Sequence, residues 1–213
     1  MLKKFTDTIT TQEEFLAFRE EIGQPSERAR NKVIDHIDEH CRTFISKSPF
    51  LTVATANING ECDVSPRGDA PGFVKVIDEH HLFIPERPGN KRMDSIHNII
   101  SNPHIGLIFF IPSLGETLRM NGKALICRDP ELLSNSKANE KTPLFGIVVE
   151  VNECYIHCAK AFIRSGLWNP ESWLPNEEHP KISKILADHA NILNTTTEQI
   201  EKDLRISYVE RLY

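Results

Sequence analysis

The segment whose residue types point most directly to a ligand is a basic turn near the middle of the chain, Arg87-Pro88-Gly89-Asn90-Lys91-Arg92. It lies between a predicted strand and a helix predicted over residues 91–101. Lys91 and Arg92 would then occupy the first turn of that helix, where the helix dipole favours acidic residues. A phosphate bound between these two cations and the free N–H groups of the helix start would explain their placement. The alternative is a solvated basic turn.

A second candidate segment is Ser65-Pro66-Arg67-Gly68-Asp69, at the end of a predicted strand. Proline keeps the residue before it extended, and strand alternation places the Ser65 and Arg67 side chains on one face. Both side chains could therefore contact the same ligand. A strand end with a surface arginine is the alternative.

A long strand is predicted after Gly115, because apolar and polar residues alternate there. One face carries Leu118, Met120, Gly122, Ala124 and Ile126, and the other carries Thr117, Arg119, Asn121 and Lys123. The polar face either contacts a bound heterocycle or forms the outside of the sheet.

Three soft metal ligands, Cys154, His157 and Cys158, lie within five residues and raise the question of a zinc site. A structural zinc site needs a second pair of ligands, and the remaining cysteines are scattered along the chain. We therefore predict no metal site. The sequence also lacks the motifs of serine hydrolases, phosphate-loop nucleotidases, dinucleotide-binding folds and zinc proteases.

The composition argues against several classes of function. The 213 residues carry 25 Lys and Arg against 30 Asp and Glu, and this net charge of −5 does not suit a protein that neutralises nucleic-acid phosphates. The longest apolar run, residues 107–111, is too short to span a bilayer. Five cysteines without an export signal favour reduced thiols. We therefore expect a cytoplasmic protein that binds neither nucleic acid nor membranes.

Hydrophobic periodicity divides the chain into three parts. Residues 10–46 are predicted to be helical and contain a capping box at Thr11-Gln12-Glu13-Glu14. Helices are predicted again from Ala159 onward, with a second capping box at residues 195–198. Strands are predicted between these parts, at residues 50–56, 62–67, 72–77, 81–86, 104–111, 116–128 and 143–156.

Short strands with few helices between them favour a mainly β fold, an antiparallel barrel with helices packed outside it. The Asn59-Gly60 pair predicts a hairpin between the first two strands. We predict a single domain over residues 1–213, with helical extensions at residues 10–46 and 159–213.

Several segments together resemble the FMN-binding split-barrel family that includes pyridoxamine 5'-phosphate oxidase. The resembling segments are residues 63–69, 82–95, 102–107, 115–124 and 157–160. The flanking helices resemble those of a subgroup of FMN-dependent enzymes within this family. The resemblance implies a six-stranded antiparallel split β-barrel and a homodimer with FMN bound at the subunit interface.

The resemblance also implies roles for residues of the two candidate segments. Ser65 and Arg67 would contact the flavin ring, and the Arg67 guanidinium would stabilise the anionic reduced flavin. Lys91 and Arg92, together with Asn90, would hold the FMN phosphate.

Two further implications concern the partner subunit and the substrate. Thr117 and Arg119 would reach the flavin of the partner subunit. The family's oxidase ends in a strand with an Arg-x-His-Asp type substrate motif, whereas residues 206–213 of this chain follow helical segments and lack it. We therefore expect flavin binding without efficient oxidation of pyridoxamine 5'-phosphate.

The implied function is an FMN-dependent oxidoreductase that transfers a hydride to or from a small-molecule substrate, with its catalytic residues unidentified. One alternative is a flavin-binding protein without catalytic activity. Another is a split barrel that binds haem or a deazaflavin instead of FMN.

Overall fold

A computed structural model describes residues 5–190 and 195–213 of the chain. The chain divides into two compact units, Met1–Val33 and Ile34–Tyr213. No helix among the described residues has both the length and the apolar character needed to cross a bilayer.

The first unit contains two helices. Helix α1 spans Gln12–Ile22 and begins with the predicted capping box, because the Thr11 hydroxyl accepts from the Glu14 N–H and the Glu14 carboxylate accepts from the Thr11 N–H. Helix α2 spans Glu27–Asn31. The helical prediction for residues 10–46 is therefore wrong for residues 32–38, which lie between α2 and the next helix at Glu39 and are not helical.

The second unit consists of an antiparallel sheet and peripheral helices. Its strands are β1 (Phe50–Ala56), β2 (Cys62–Gly68), β3 (Lys75–Val76), β4 (His81–Pro85), β5 (His104–Phe110), β6 (Thr117–Cys127) and β7 (Gly146–His157). Its helices are α3 (Glu39–Lys47), α4 (Asp94–Ser101), α5 (Pro130–Ser134), α6 (Lys160–Ser165), α7 (Ile182–Ala190) and α8 (Thr197–Glu210).

The strands form one sheet in the order β2-β1-β5-β6-β7-β4-β3, and every neighbouring pair is antiparallel. The predicted mainly β split barrel with peripheral helices is confirmed. The sheet has seven strands rather than six, because the short β3 adds to β4 at one edge. The edge strands β2 and β3 are not paired with each other, which leaves the barrel split.

The inner face of the sheet forms the core of the second unit. Its centre is made of alternate residues on four neighbouring strands, each at most 1% exposed: Leu51, Val53, Leu107, Phe109, Leu118, Met120, Ile147 and Val149. Burying such side chains contributes about 1.5–3 kcal/mol each. Alternation therefore fixes which residues of every strand face inward and which face outward.

A β-bulge sets the register between β6 and β7. Asn121 lies opposite Glu153 and Gly122 lies opposite Val151, so Asn152 is the extra residue. A Cβ on Gly122 would lie 2.0 Å from the Glu150 carbonyl oxygen, which only glycine avoids. Because the extra residue lies on β7, the side chains of β6 continue to alternate between the two faces of the sheet on both sides of the bulge.

Helix α4 covers the inner face beside β1 and β2. Ile96 and Ile99 enter the core, and the Asn98 amide donates to the Thr55 hydroxyl at 3.0 Å. The helix begins at Asp94, with Met93 as its N-cap, so the predicted start at residue 91 is wrong. Met93 adopts a left-handed conformation with φ of 63°, which ends the loop before the helix.

The C-terminal part of the chain differs from the prediction at the start of its last helix. Helix α8 is capped by Thr196, whose hydroxyl accepts from the Gln199 N–H, one residue later than the predicted box at residues 195–198. The phenol of Tyr213 donates to Asp69 at 2.9 Å, which places the last described residue against the end of β2.

Candidate functional site

A chain of hydrogen bonds joins β2, the first turn of α4 and the end of β4. Arg67 Nη1 donates to Ser65 Oγ at 3.0 Å, Ser65 Oγ and Ser95 Oγ are 2.8 Å apart, and Ser95 Oγ donates to Asp63 Oδ2 at 2.7 Å. At the other end, Arg67 Nε donates to Glu86 Oε2 at 3.0 Å. The sequence-predicted pair Ser65 and Arg67 therefore lies at the centre of a polar network.

Alternation along β2 explains how the network is built. Asp63, Ser65 and Arg67 are half-buried and point inward, while the residues between them are exposed. Ser95 is 3% exposed because α4 packs its first turn on β2. The predicted placement of Ser65 and Arg67 on one face is confirmed.

Two ion pairs close the gap between the end of β2 and the residues after β4. Arg67 pairs with Glu86, and Asp69 pairs with Arg87 at 2.6 Å. Arg87 Nη1 also donates to the Ser136 carbonyl oxygen. Arg87 is therefore bound into the scaffold, and only the later residues of the basic turn remain for a ligand.

The two carboxyl groups differ in how their burial is compensated. Burial raises the pKa of Glu86, and its hydrogen bond and attraction to Arg67 offset only part of that effect. Burial also acts to raise the pKa of Asp69, but hydrogen bonds from the Ala70 N–H, Arg87 and Tyr213 outweigh it and lower the pKa. The cost of burying a charged carboxylate is therefore compensated less completely at Glu86 than at Asp69.

The start of α4 and the residues before it form a second cluster of donors. Met93 supplies no side-chain cap, so the first N–H groups of the helix remain available to an anion. Lys91 is exposed, and Asn90 accepts from the Arg92 N–H at 3.0 Å in a turn. The Arg92 side chain is 72% exposed, and its guanidinium donates to Asp94 at 2.7 Å. This donor set fits a phosphate group.

The structure changes the reason for expecting a phosphate at residues 90–92, however. Lys91 and Arg92 precede the helix instead of lying in its first turn, and the first turn carries the acidic residue that the dipole favours, Asp94. The two cations are therefore not misplaced in the helix. The uncapped helix start beside them is what favours an anion.

The remaining predicted residues lie on the other side of the sheet. Register places Arg119 on the same face as Pro66, through Ile108 and Thr52, and therefore opposite to Arg67. The Arg119 guanidinium lies 5.6 Å from the centre of the Tyr155 ring. Thr117 shares this outer face but is only 4% exposed. One chain does not bring these two residues to the polar network.

A groove of about 550 Å³ lies on this outer face. Small residues line it, among them Ala54, Ala56 and Gly106, together with Asn121 and Glu153. The Asn121 amide donates to the Glu153 carboxylate. The groove lets another molecule approach the backbone of the sheet closely.

The cysteines do not form a metal centre in the part of the chain that is described. Cys154 Sγ lies 3.2 Å from Cys41 Sγ in the core, which separates it from the exposed Cys158. The described residues contain no group of three or more His, Cys, Asp or Glu side chains suited to a metal ion.

Sequence reasoning missed Glu86, Ser95 and Asp63 as members of the site. Asp63 could have been found from alternation, since it shares a face with Ser65 and Arg67. Ser95 could not, because its position depends on a helix that starts at Asp94. Glu86 follows β4, and no local pattern shows that it meets Arg67.

The inward polar network and the uncapped helix start together make up the candidate site of this split barrel. The sequence profile of the pyridoxamine 5'-phosphate oxidase family matches residues 37–158, which include all of these residues. The chain belongs to this family. A search of the curated proteins found no match.

Several solved structures resemble the chain. They include HupZ of Group A Streptococcus (16% identity, 56% of this chain and 93% of that chain, TM-score 0.46). A putative pyridoxamine 5'-phosphate oxidase of Lactobacillus delbrueckii has 19% identity over 57% of this chain and 99% of that chain, with a TM-score of 0.42. An FMN-binding protein of Syntrophomonas wolfei has 12% identity over 55% of this chain and 83% of that chain, with a TM-score of 0.44. These TM-scores are all below 0.5 and add nothing to the family assignment.

Proposed function

We propose that this protein binds FMN at the split of the barrel and acts as an FMN-dependent oxidoreductase on a small molecule. The observation that carries the proposal is the uncapped start of α4, which lies beside Arg92 and is joined through Ser95 to the network around Arg67. One end of this site suits a phosphate and the other a polar ring edge. Membership of the pyridoxamine 5'-phosphate oxidase family supports the same assignment.

The phosphate end uses residues 90–92 and the helix start. Lys91 and Arg92 supply positive charge, Asn90 orients the turn, and the N–H groups of α4 donate hydrogen bonds. Arg92 must exchange its contact with Asp94 for a contact with the phosphate. The acidic neighbour therefore weakens phosphate binding and does not prevent it.

The ring end uses Ser65 and Arg67. When bound, FMN supplies hydride transfer, and the protein orients the ring and sets its electrostatic surroundings. Arg67 is held by hydrogen bonds to Ser65 and Glu86, which fix the direction of its guanidinium. A guanidinium keeps its positive charge at every working pH, so Arg67 favours negative charge on the ring.

A homodimer follows from the proposal if Arg119 and Thr117 also contact the flavin. These residues lie on the outer face and Arg67 on the inner face, so one chain cannot present both to a single ring. A second copy supplies the outer-face residues. Its strand β6 would bring Arg119, with Thr117 beside it, to the flavin of the first chain.

The substrate is proposed to be a small molecule other than pyridoxamine 5'-phosphate. Residues 197–210 form a helix and the last described residue contacts Asp69, so this part of the chain does not supply the oxidase's terminal substrate strand.

All five cysteines are free, which supports a reducing, cytoplasmic location.

The absorption spectrum of the purified protein, followed by an activity assay, tests this proposal. We expect a flavin spectrum and release of FMN on denaturation, and reduction of an artificial acceptor with a nicotinamide donor. A haem or deazaflavin spectrum would replace the cofactor assignment. A flavin spectrum without turnover would favour a flavin carrier over an enzyme, and rapid formation of pyridoxal 5'-phosphate would contradict the substrate assignment.

A further inference from the structure

The Arg67–Glu86 pair is a largely buried ion pair at the ring end of the site. The Arg67 side chain is 15% exposed and the Glu86 side chain 18% exposed, with Nε and Oε2 3.0 Å apart. Glu86 lies at the end of β4, where its N–H donates to the Phe145 carbonyl oxygen. The carboxylate therefore stands on a fixed strand end, whereas Arg67 has a long and flexible side chain.

Glu86 uses the Nε side of the guanidinium. Nη1 is used by Ser65 Oγ and by the Pro66 carbonyl oxygen, so two sides of the planar group are occupied by the protein. The remaining edge is left for a ligand. The direction of that edge is set by the carboxylate of Glu86.

The negative charge of Glu86 has a second effect, on the electrostatic field of Arg67. An isolated guanidinium in a half-buried site would favour an anion strongly, because water screens it poorly. A carboxylate in direct contact largely cancels that field. Glu86 is kept in this place although burial opposes its ionised form.

We propose that Glu86 is a positioning residue for FMN, which orients the Arg67 guanidinium and cancels most of its charge at the ring. This proposal rests on the proposed function, because it requires FMN beside Arg67. The flavin then meets a nearly neutral ion pair rather than a free cation. The protein consequently stabilises the reduced, anionic flavin less than an unpaired Arg67 would.

Three variants separate the effect of Glu86 on the orientation of Arg67 from its effect on the charge of the site. Glu86→Gln keeps an oxygen acceptor for Arg67 Nε and removes the charge. Glu86→Ala removes both the acceptor and the charge. Asp69→Asn is the matched control, because it removes the buried carboxylate of the neighbouring ion pair, whose partner is Arg87. Each protein is titrated with FMN, and the midpoint potential of the bound FMN is measured by spectroelectrochemistry.

We expect Glu86→Gln to bind oxidised FMN at least as tightly as the unmodified protein. Its affinity for reduced over oxidised FMN should rise about tenfold, which corresponds to a potential about 30 mV higher for a two-electron couple. Glu86→Ala should bind FMN about tenfold more weakly, because Arg67 is no longer oriented. Asp69→Asn should change the affinity ratio less than twofold.

Three results would overturn the proposal while leaving FMN binding intact. These are an unchanged ratio in Glu86→Gln, an equal rise in Asp69→Asn, or equal weakening of FMN by Glu86→Gln and Glu86→Ala. Failure of the unmodified protein to bind FMN would overturn the proposed function, and this proposal with it.

Discussion

Arg92 is the residue whose proposed role in phosphate binding can be tested most cleanly. Its side chain is exposed and, among the hydrogen bonds and ion pairs of the described residues, contacts only the neighbouring Asp94. Charge-assisted hydrogen bonds contribute about 1.5–3 kcal/mol each, so Arg92→Ala should weaken FMN by roughly 10- to 150-fold. Riboflavin lacks the phosphate and should respond little. Calorimetric titration of both ligands measures the difference.

Two companion variants make this test specific. Lys184→Ala removes a comparably exposed cation, 65% exposed and paired with Asp188, and should leave FMN affinity unchanged. Asp94→Asn removes the competitor of the phosphate and should strengthen FMN binding without affecting riboflavin. Equal weakening of both ligands by Arg92→Ala would mean that Arg92 supports the fold or the ring instead of the phosphate.

Asp69 and Glu86 should affect acid stability in opposite directions. The lowered pKa of Asp69 contributes stability that is present above its unfolded value of about 3.8 and is lost as pH falls through the folded value. The raised pKa of Glu86 contributes stability that is present below about 4.5 and is lost as pH rises through the folded value. Burial acts to raise the pKa of both carboxyl groups, but Asp69 accepts from three partners that outweigh this effect, whereas Glu86 accepts from Arg67 alone among the described residues.

Urea unfolding of Asp69→Asn and Glu86→Gln over a pH series checks this difference. The destabilisation by Asp69→Asn should shrink as pH falls below about 3.8. Any destabilisation by Glu86→Gln should instead shrink as pH rises above about 4.5. Parallel pH profiles for the two variants would contradict the opposite pKa directions.

At the scale of elements, the bulge between β6 and β7 is the feature with the sharpest steric requirement. Gly122→Ala would place a methyl group against the Glu150 carbonyl oxygen, and neither backbone can move without breaking the ladder. We expect a loss of about 3 kcal/mol or more in the free energy of unfolding. Gly89→Ala is the control, because a Cβ there meets nothing within 4 Å. Chemical denaturation of both variants measures the costs, and equal small losses would show that the bulge is adaptable.

The strands were predictable from sequence because inward residues recur with a period of two. All seven predicted segments overlap a strand, and Phe50–Ala56 matches its predicted bounds. Helix starts were less predictable where no cap residue marks them. The capping box at Thr11 predicted the start of α1, whereas Met93 in a left-handed conformation gives no signal before α4.

The hairpin between β1 and β2 was also predictable from sequence only in part. It lies where Asn59-Gly60 predicted it, but only Gly60 has a positive φ, and the turn is stabilised by the Asn57 side chain accepting from the Asn59 and Glu61 N–H groups. The residues of the candidate site divide in the same way. Ser65 and Arg67 follow from local alternation, but the contact of Arg67 with Glu86 depends on the closure of the whole sheet.

At the scale of the whole molecule, the opposite orientation of Arg67 and Arg119 leads to a complementation test. A mixed dimer of one Arg67→Ala chain and one Arg119→Ala chain should contain one site with both arginines and one with neither. We expect one FMN per mixed dimer at unmodified affinity, whereas both homodimeric variants bind weakly at every site. Titration of differently tagged, purified mixed dimers measures this stoichiometry. A stable monomer that carries FMN, detected by light scattering, would contradict a shared site.

FMN binding itself is tested most directly by fluorescence titration of the purified protein, stripped of any bound cofactor. FMN fluorescence should be quenched to saturation at one FMN per chain, and riboflavin should bind more weakly because the α4 start and Arg92 then have no phosphate to hold. A protein that neither carries flavin when purified nor quenches added FMN would contradict the assignment of a flavin site to the split of this barrel.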